Sequence, residues 1–293
     1  MNKFLFLTIA FAFLCSKVWA LEIAPSIAGK FNIDRVELYI ECYGTGLPNI
    51  IVNTGFGGAG SDGRWSKVVT EVSKTNRICL YDRANLGKSD KSLDTYDVGV
   101  MAKQLQKLLV AAEVKPPYLM IGHSYGSYPI KIFRDLYPHQ VDAILLVDPS
   151  LYGMFYGNVA KWKPESEQYD KTNLERMNAE LDGWNNPALN PEKIDMKSSA
   201  KLIKESTDFE DTPFVLLWAA NAIWQGGEAP ADWHPNVWER MKTLYAGDLA
   251  RMQSLSSQTK IVFAKTPEHF IHVYEPEAVL NEINYLRNKI ASK

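Results

Sequence analysis

The chain has 293 residues, 46% of them hydrophobic, and its 32 basic and 34 acidic side chains leave a net charge of −2. That length suits one large α/β domain with an insertion. No basic patch or arginine run appears, which argues against nucleic acid as a partner.

The first residues read as a leader. Lys3 gives a positive start, Phe4 to Leu14 is almost unbroken apolar sequence, and Val18-Trp19-Ala20 ends in a small residue suited to cleavage. This is the pattern of a secretory signal peptide over residues 1–20, too short and wrongly flanked for a membrane span. Leu14 before Cys15 argues against a lipoprotein anchor. The expectation is cleavage after Ala20 and a secreted or periplasmic protein with no membrane span. Cys42 and Cys79 then remain, both inside predicted strands; they either pair or lie as buried thiols. Two cysteines so far apart do not make a zinc site.

Strands and helices alternate from there. Val36 to Tyr43 alternates as a strand, and Asn49 to Asn53 is a short buried one. Val68 to Val72 suggests a short helix, followed by a strand over Arg77 to Tyr81. Val98, Met101, Leu105, Leu108, Leu109 and Ala112 share one helical face. Leu119 to Gly122 is an apolar run suited to a buried parallel strand. Tyr128, Ile130, Ile132, Phe133 and Leu136 then form a helix stopped near Pro138. Further strands fall at Ala143–Val147, Phe214–Trp218 and Ile261–Phe263, and a last helix carries Val279, Leu280, Ile283, Leu286 and Ile290 on one face. Repeated β-α alternation implies a mostly parallel sheet covered on both faces.

Two stretches break the rhythm, 149–212 and about 222–256, and both follow strand C-termini, where open α/β sheets hold ligands. The first, with Tyr152 and Trp162 among its aromatics, reads as a helical lid over residues 149–212. The core is then 21–148 and 213–293. Taken one by one, such aromatics are better read as packing the insertion onto the body.

Gly122-His123-Ser124-Tyr125-Gly126 sits between the apolar strand and its helix. A sharp strand-to-helix turn around G-x-S-x-G lifts the serine hydroxyl clear of the sheet, and the flanking glycines avoid Cβ collisions. A serine hydroxyl needs a base within hydrogen-bond reach. Of the histidines, His123 points away in such a turn, His139 lies in a loop beside Pro138, and His272 suits a supporting role. His269 follows the last strand and is the candidate base. Gly55-Phe56-Gly57-Gly58-Ala59-Gly60 also matches a dinucleotide fingerprint with Asp82 downstream, but Ser61-Asp62-Gly63 delays the helix that should receive the pyrophosphate.

Taken together, Gly55-Phe56-Gly57-Gly58, Tyr81-Asp82-Arg83-Ala84 with Gly87 and Ser89, Gly122 to Gly126, Leu146-Val147-Asp148-Pro149 and His269-Phe270-Ile271-His272 before Glu275-Pro276-Glu277 resemble the α/β-hydrolase superfamily. The resemblance covers nearly the whole chain after the leader. It implies a mostly parallel eight-stranded sheet with helices on both faces, a lid insertion, and a triad in the order serine, acid, histidine.

Similar proteins often carry the acid in a turn after the strand equivalent to Phe214–Trp218, where this chain reads Ala219-Ala220-Asn221-Ala222. Some place it one strand earlier, where Asp148 stands; Asp232 and Glu228 remain open as alternatives. The elbow supplies the Tyr125 N–H as an oxyanion donor, and the resemblance adds the N–H of Phe56, with Thr54-Gly55 where relatives often have His-Gly. Asp82-Arg83 is expected to be an ion pair supporting that loop. The implied chemistry is ester cleavage of a small acyl substrate through an acyl-enzyme by Ser124, His269 and Asp148, without cofactor or metal. An amidase or aminopeptidase, or a binding protein that lost turnover, are the alternatives. A serine at the elbow argues against dehalogenase and epoxide hydrolase relatives, which use a carboxylate nucleophile.

Overall fold

The computed structural model describes residues 23–152, 182, 186–220, 227–228 and 235–292. The expected leader, half of the expected lid, and Asp232 lie outside the described residues. Eight strands form one sheet: β1 (Ile27–Ile33), β2 (Val36–Tyr43), β3 (Asn49–Asn53), β4 (Ile78–Tyr81), β5 (Tyr118–His123), β6 (Val141–Val147), β7 (Phe214–Trp218) and β8 (Thr259–Phe263). Their spatial order is β1-β2-β4-β3-β5-β6-β7-β8. β2 runs antiparallel to both β1 and β4, and every later pairing is parallel.

The helices are α1 (Ser66–Val72), α2 (Val98–Ala111), α3 (Ser127–Leu136), α4 (Met196–Glu205), α5 (Pro235–Gln253), α6 (Ile271–Tyr274) and α7 (Pro276–Ala291). Strand side chains alternate between two cores because the pleat repeats every two residues. Ile51, Met120, Ile144, Leu146, Phe214 and Leu216 face one side, with Leu105 and Leu108 of α2 and Phe133 of α3. Ile50, Val52, Leu119, Ile121, Leu145 and Val215 face the other, with Val68 and Val69 of α1 and Ile283 and Leu286 of α7. Strands buried on both faces therefore read as continuous apolar runs. Truncating one such residue, for example Leu145→Ala, costs about 2–5 kcal/mol.

The connections locate the site. From β3 the chain passes through α1 to β4 on one side, then returns through α2 to β5 on the other side of β3. The C-terminal ends of β3 and β5 thus flank a reversal of strand order, where a crevice opens outside an α/β sheet. The Gly55 loop leaves β3 there, and Ser124 leaves β5.

β1 is an element beyond the sequence expectation. It is an edge strand with alternating partial exposure, holding Gly29, Lys30 and Asn32 between its apolar residues. Cys42 and Cys79 are register partners across β2 and β4, and they form a disulfide. At its C-terminal end the 149–212 segment joins the body: Ile194 bridges to Tyr96, and Ile194, Met196, Ile203 and Phe209 enter the core that contains α2 and α3. Among the described residues, no helix is long and apolar enough to cross a membrane.

Candidate active site

Ser124 sits directly after β5 with φ +52°, the left-handed region that side chains adopt only when their surroundings impose it. Those surroundings are visible in the two glycines. A Cβ at Gly126 would stand 2.1 Å from the Asn53 carbonyl oxygen and 2.6 Å from that of Thr54. A Cβ at Gly122 would meet Ser127 Cα at 2.9 Å and Ile130 Cδ1 at 3.0 Å. Only glycine at both places lets the elbow press against the end of β3 and the start of α3. The Tyr125 amide falls in the opening turn of this helical segment, where N–H groups lack partners within the helix.

Asp148 ends β6, also with a left-handed φ, +40°. Its N–H donates to the Leu217 carbonyl at 2.7 Å, which ties the turn to β7. One carboxylate oxygen, Oδ1, accepts the Ala219 N–H at 3.0 Å, and the other, Oδ2, lies 2.6 Å from Nδ1 of His269. The position after β7 that carries no carboxylate therefore contributes a backbone donor to the aspartate one strand earlier. A carboxylate partner places the proton of a neutral His269 ring on Nδ1 and leaves Nε2 as the basic nitrogen. Glu228, the alternative acid among the described residues, is exposed.

The loop carrying His269 is held from three sides. The Glu275 carboxylate accepts the N–H groups of Lys265 at 2.7 Å and Thr266 at 2.8 Å. The Ala220 N–H donates to the Thr266 carbonyl at 2.8 Å. Nε2 of His123, the residue before the elbow serine, donates to the His269 carbonyl at 3.0 Å. The His123 and His269 rings are 4.7 Å apart, centre to centre. Among the described residues no hydrogen bond joins Ser124 Oγ to the His269 ring; such bonds often tighten only once substrate is bound.

His123 and His272 are buried, and His272 stacks on Trp65 at 4.0 Å. Burial, with the nearby His269 second, pushes the His123 pKa down to about 3. Burial likewise holds His272 well below its ordinary value, with His123 and His269 adding to the shift. Both rings are neutral supports, and the half-exposed His269 is the ring left open to solvent.

Phe56 and Tyr125, whose N–H groups are the oxyanion candidates, are in contact through their side chains. The rings of Phe56 and Tyr125 meet edge-on at 6.0 Å. Gly55 lies against the elbow, since a Cβ there would stand 3.2 Å from Ser124 Cβ. Thr54 supports the loop differently from a histidine, its hydroxyl donating to the Gly58 carbonyl at 2.6 Å.

The expected Asp82–Arg83 ion pair is corrected here. Asp82 accepts Ser61 N–H at 2.9 Å, the Ser61 hydroxyl at 2.7 Å and Lys88 N–H at 2.7 Å. Arg83 instead pairs with Glu192, Nε to Oε2 at 2.7 Å, with both side chains buried. Adjacent side chains leaving the end of a strand point in different directions, which separates neighbours in sequence. Burial is the largest single influence and would lower the Arg83 pKa, but the charge of Glu192 and its hydrogen bonds together outweigh it, and the net shift is upward. Glu192 escaped sequence reasoning because 109 residues separate it from Arg83, while the adjacent Asp82 offers a nearer carboxylate. Among the described residues no group of His, Cys, Asp or Glu is arranged to hold a metal ion.

Comparison with known proteins agrees with this architecture. A family model described as alpha/beta hydrolase fold matches residues 48–196, about half the chain. The uncharacterized protein YqjL of Bacillus subtilis (strain 168) is 28% identical over 230 residues, covering 78% of this chain and 79% of that protein. A mutant of a Pseudomonas aeruginosa protein provisionally described as an epoxide hydrolase superposes with a TM-score of 0.63 at 14% identity, covering 92% of this chain and 98% of that one. A thermophilic esterase from Thermogutta terrifontis superposes with a TM-score of 0.56 at 18% identity, covering 90% and 98%.

Proposed function

The chain belongs to the α/β-hydrolase fold family, and from that premise we propose that it is an exported serine hydrolase that cleaves a small carboxylic ester. In this reading Ser124 Oγ attacks the acyl carbonyl while Nε2 of His269 takes its proton. Asp148 holds the imidazole in the required tautomer and stabilises the imidazolium as it forms. The N–H groups of Phe56 and Tyr125 receive the oxyanion. The tetrahedral intermediate collapses as His269 returns the proton to the leaving alcohol. Water, deprotonated by the same imidazole, then cleaves the acyl-enzyme and frees Ser124.

The observation that carries the reading is the 2.6 Å contact between His269 Nδ1 and Asp148 Oδ2 on the sheet edge where Ser124 leaves β5. A scaffold that had lost turnover has no need of an imidazole oriented by a carboxylate beside a left-handed serine. The serine also weighs against epoxide chemistry, which needs a carboxylate at that place. Export is supported by the apolar leader pattern and by the Cys42–Cys79 disulfide, a bond that persists in oxidising compartments.

A fluorophosphonate probe and a panel of p-nitrophenyl esters and aminoacyl-anilides test the proposal. Wild type is expected to label and to turn over esters faster than anilides, and Ser124→Ala to do neither. Folded wild-type protein that neither labels nor hydrolyses any member of the panel overturns it. Faster anilide turnover moves the assignment to an amidase.

A further inference from the structure

We infer that Glu192 is a positioning residue for the oxyanion site, acting through the backbone of the Gly55-Phe56-Gly57 loop. This rests on the serine-hydrolase reading and deepens it. All five N–H donors of Arg83 are used. Nε and Nη2 bond Glu192 at 2.7 Å and 3.0 Å, Nη1 bonds Asn53 Oδ1 and the Thr54 carbonyl at 2.7 Å each, and Nη2 also bonds the Gly55 carbonyl at 2.7 Å. Glu192 Oε1 additionally accepts the Gly57 N–H at 2.7 Å.

These bonds hold the two peptide units on either side of Phe56. A trans peptide is planar, with its C=O and N–H pointing in opposite directions. The carbonyl of the Gly55–Phe56 unit is turned into the buried guanidinium, so its N–H, the proposed oxyanion donor, is turned away from it. The next unit, Phe56–Gly57, is fixed by its N–H on the Glu192 carboxylate. Gly57 sits at φ +68°, and because glycine has no Cβ it could adopt other conformations as readily, so these bonds are what fix the short loop. Glu192 thus orients the donor twice, once directly through Gly57 and once by holding Arg83 against Gly55.

Glu192 is itself well anchored. Its carbonyl accepts from Asn85 Nδ2 at 3.4 Å, the flanking residues Asn190 and Ile194 bond each other, and Tyr96 N–H donates to the Lys193 carbonyl at 3.0 Å. A carboxylate held this firmly transmits its geometry to the loop.

The test compares wild type, Glu192→Gln and Glu192→Ala, with active sites titrated by fluorophosphonate burst so that kcat refers to folded, competent protein. Removing one oxyanion donor lowers kcat by about 10²–10³-fold. Misorienting one is expected to lower kcat per titrated site at least ~10-fold in the glutamine variant and more in alanine, with KM changed by less than about threefold. Affinity for an arylboronic acid, which forms a tetrahedral adduct on Ser124, is expected to fall in parallel with kcat/KM. A role confined to stability lowers the number of titrated sites and leaves both quantities unchanged. Wild-type turnover with kcat and boronate affinity unaltered in the variants overturns the inference alone, whereas a wild type without turnover or labelling overturns the hydrolase reading as well. Should neither variant fold, NMR of the wild type decides: boronate binding is expected to shift the Phe56 amide proton while the Gly57 amide stays protected from exchange, and an unmoved Phe56 amide overturns the inference.

Discussion

Asp148 and His269 stand 121 residues apart in sequence, and their side chains meet at 2.6 Å. The carboxylate also accepts a backbone N–H from Ala219, so its position does not depend on the imidazole. Asp148→Asn is therefore expected to fold and to lose roughly 10⁴-fold in kcat, because an amide in that place no longer enforces the basic tautomer. Steady-state kinetics beside a circular dichroism melt check this, and near-wild-type turnover would assign the acid elsewhere.

Gly126→Ala is expected to be costly, since its new methyl group would fall on the Asn53 and Thr54 carbonyl oxygens. Neither oxygen belongs to a flexible side chain, so the backbone must shift. Overpacking of this kind costs about 1–3 kcal/mol. Ester turnover should drop together with stability, because the displaced carbonyls lead into the Gly55 loop. Urea unfolding and kcat, measured on the same preparation, test both effects; an unchanged unfolding midpoint would refute the packing argument.

Acid should destabilise the protein through His123. Its folded pKa of about 3 lies below the ordinary histidine value near 6.5. Between those values the unfolded chain binds the additional proton, so the contribution is complete above about pH 6.5 and is lost as pH falls toward 3. The full loss is on the order of 5 kcal/mol. His272, shifted in the same direction, adds to the trend. Urea titrations at about pH 7, 5 and 4 should show a shallower decline in His123→Gln, which keeps a donor for the His269 carbonyl; parallel declines would count against this origin.

The disulfide joins positions 37 residues apart. Closing a loop of that length removes denatured-state entropy equivalent to about 4 kcal/mol. Cys42→Ala/Cys79→Ala is expected to lower the unfolding free energy by an amount of that order, while kcat on an ester stays close to wild type. A reductant should shift the thermal midpoint of wild type and leave the double variant unaffected.

Much of the fold is legible because its strands are buried on both faces. Runs such as Asn49–Asn53 and Ala143–Val147 have no other soluble reading once β-α alternation is noticed. β1 is legible only with its partner, since an edge strand of half-exposed residues with Gly29, Lys30 and Asn32 carries little signal of its own. The elbow announces itself through local sterics: two glycines and a serine between an apolar strand and a helix. Asp148 could be singled out because the usual acid position reads Ala219-Ala220-Asn221-Ala222. Arg83 and Glu192 show where this kind of inference stops. Their pairing is a long-range event across 109 residues, and local sequence favours the wrong partner, Asp82, merely by proximity.

The bonds made by Glu192 impose a rule on anyone who would alter substrate choice by exchanging the segment between β6 and β7. A graft that ends without a carboxylate at position 192 would strand a cation in the interior and unfasten the turn that leads out of β3. Chimaeras should therefore splice after this residue or carry it over.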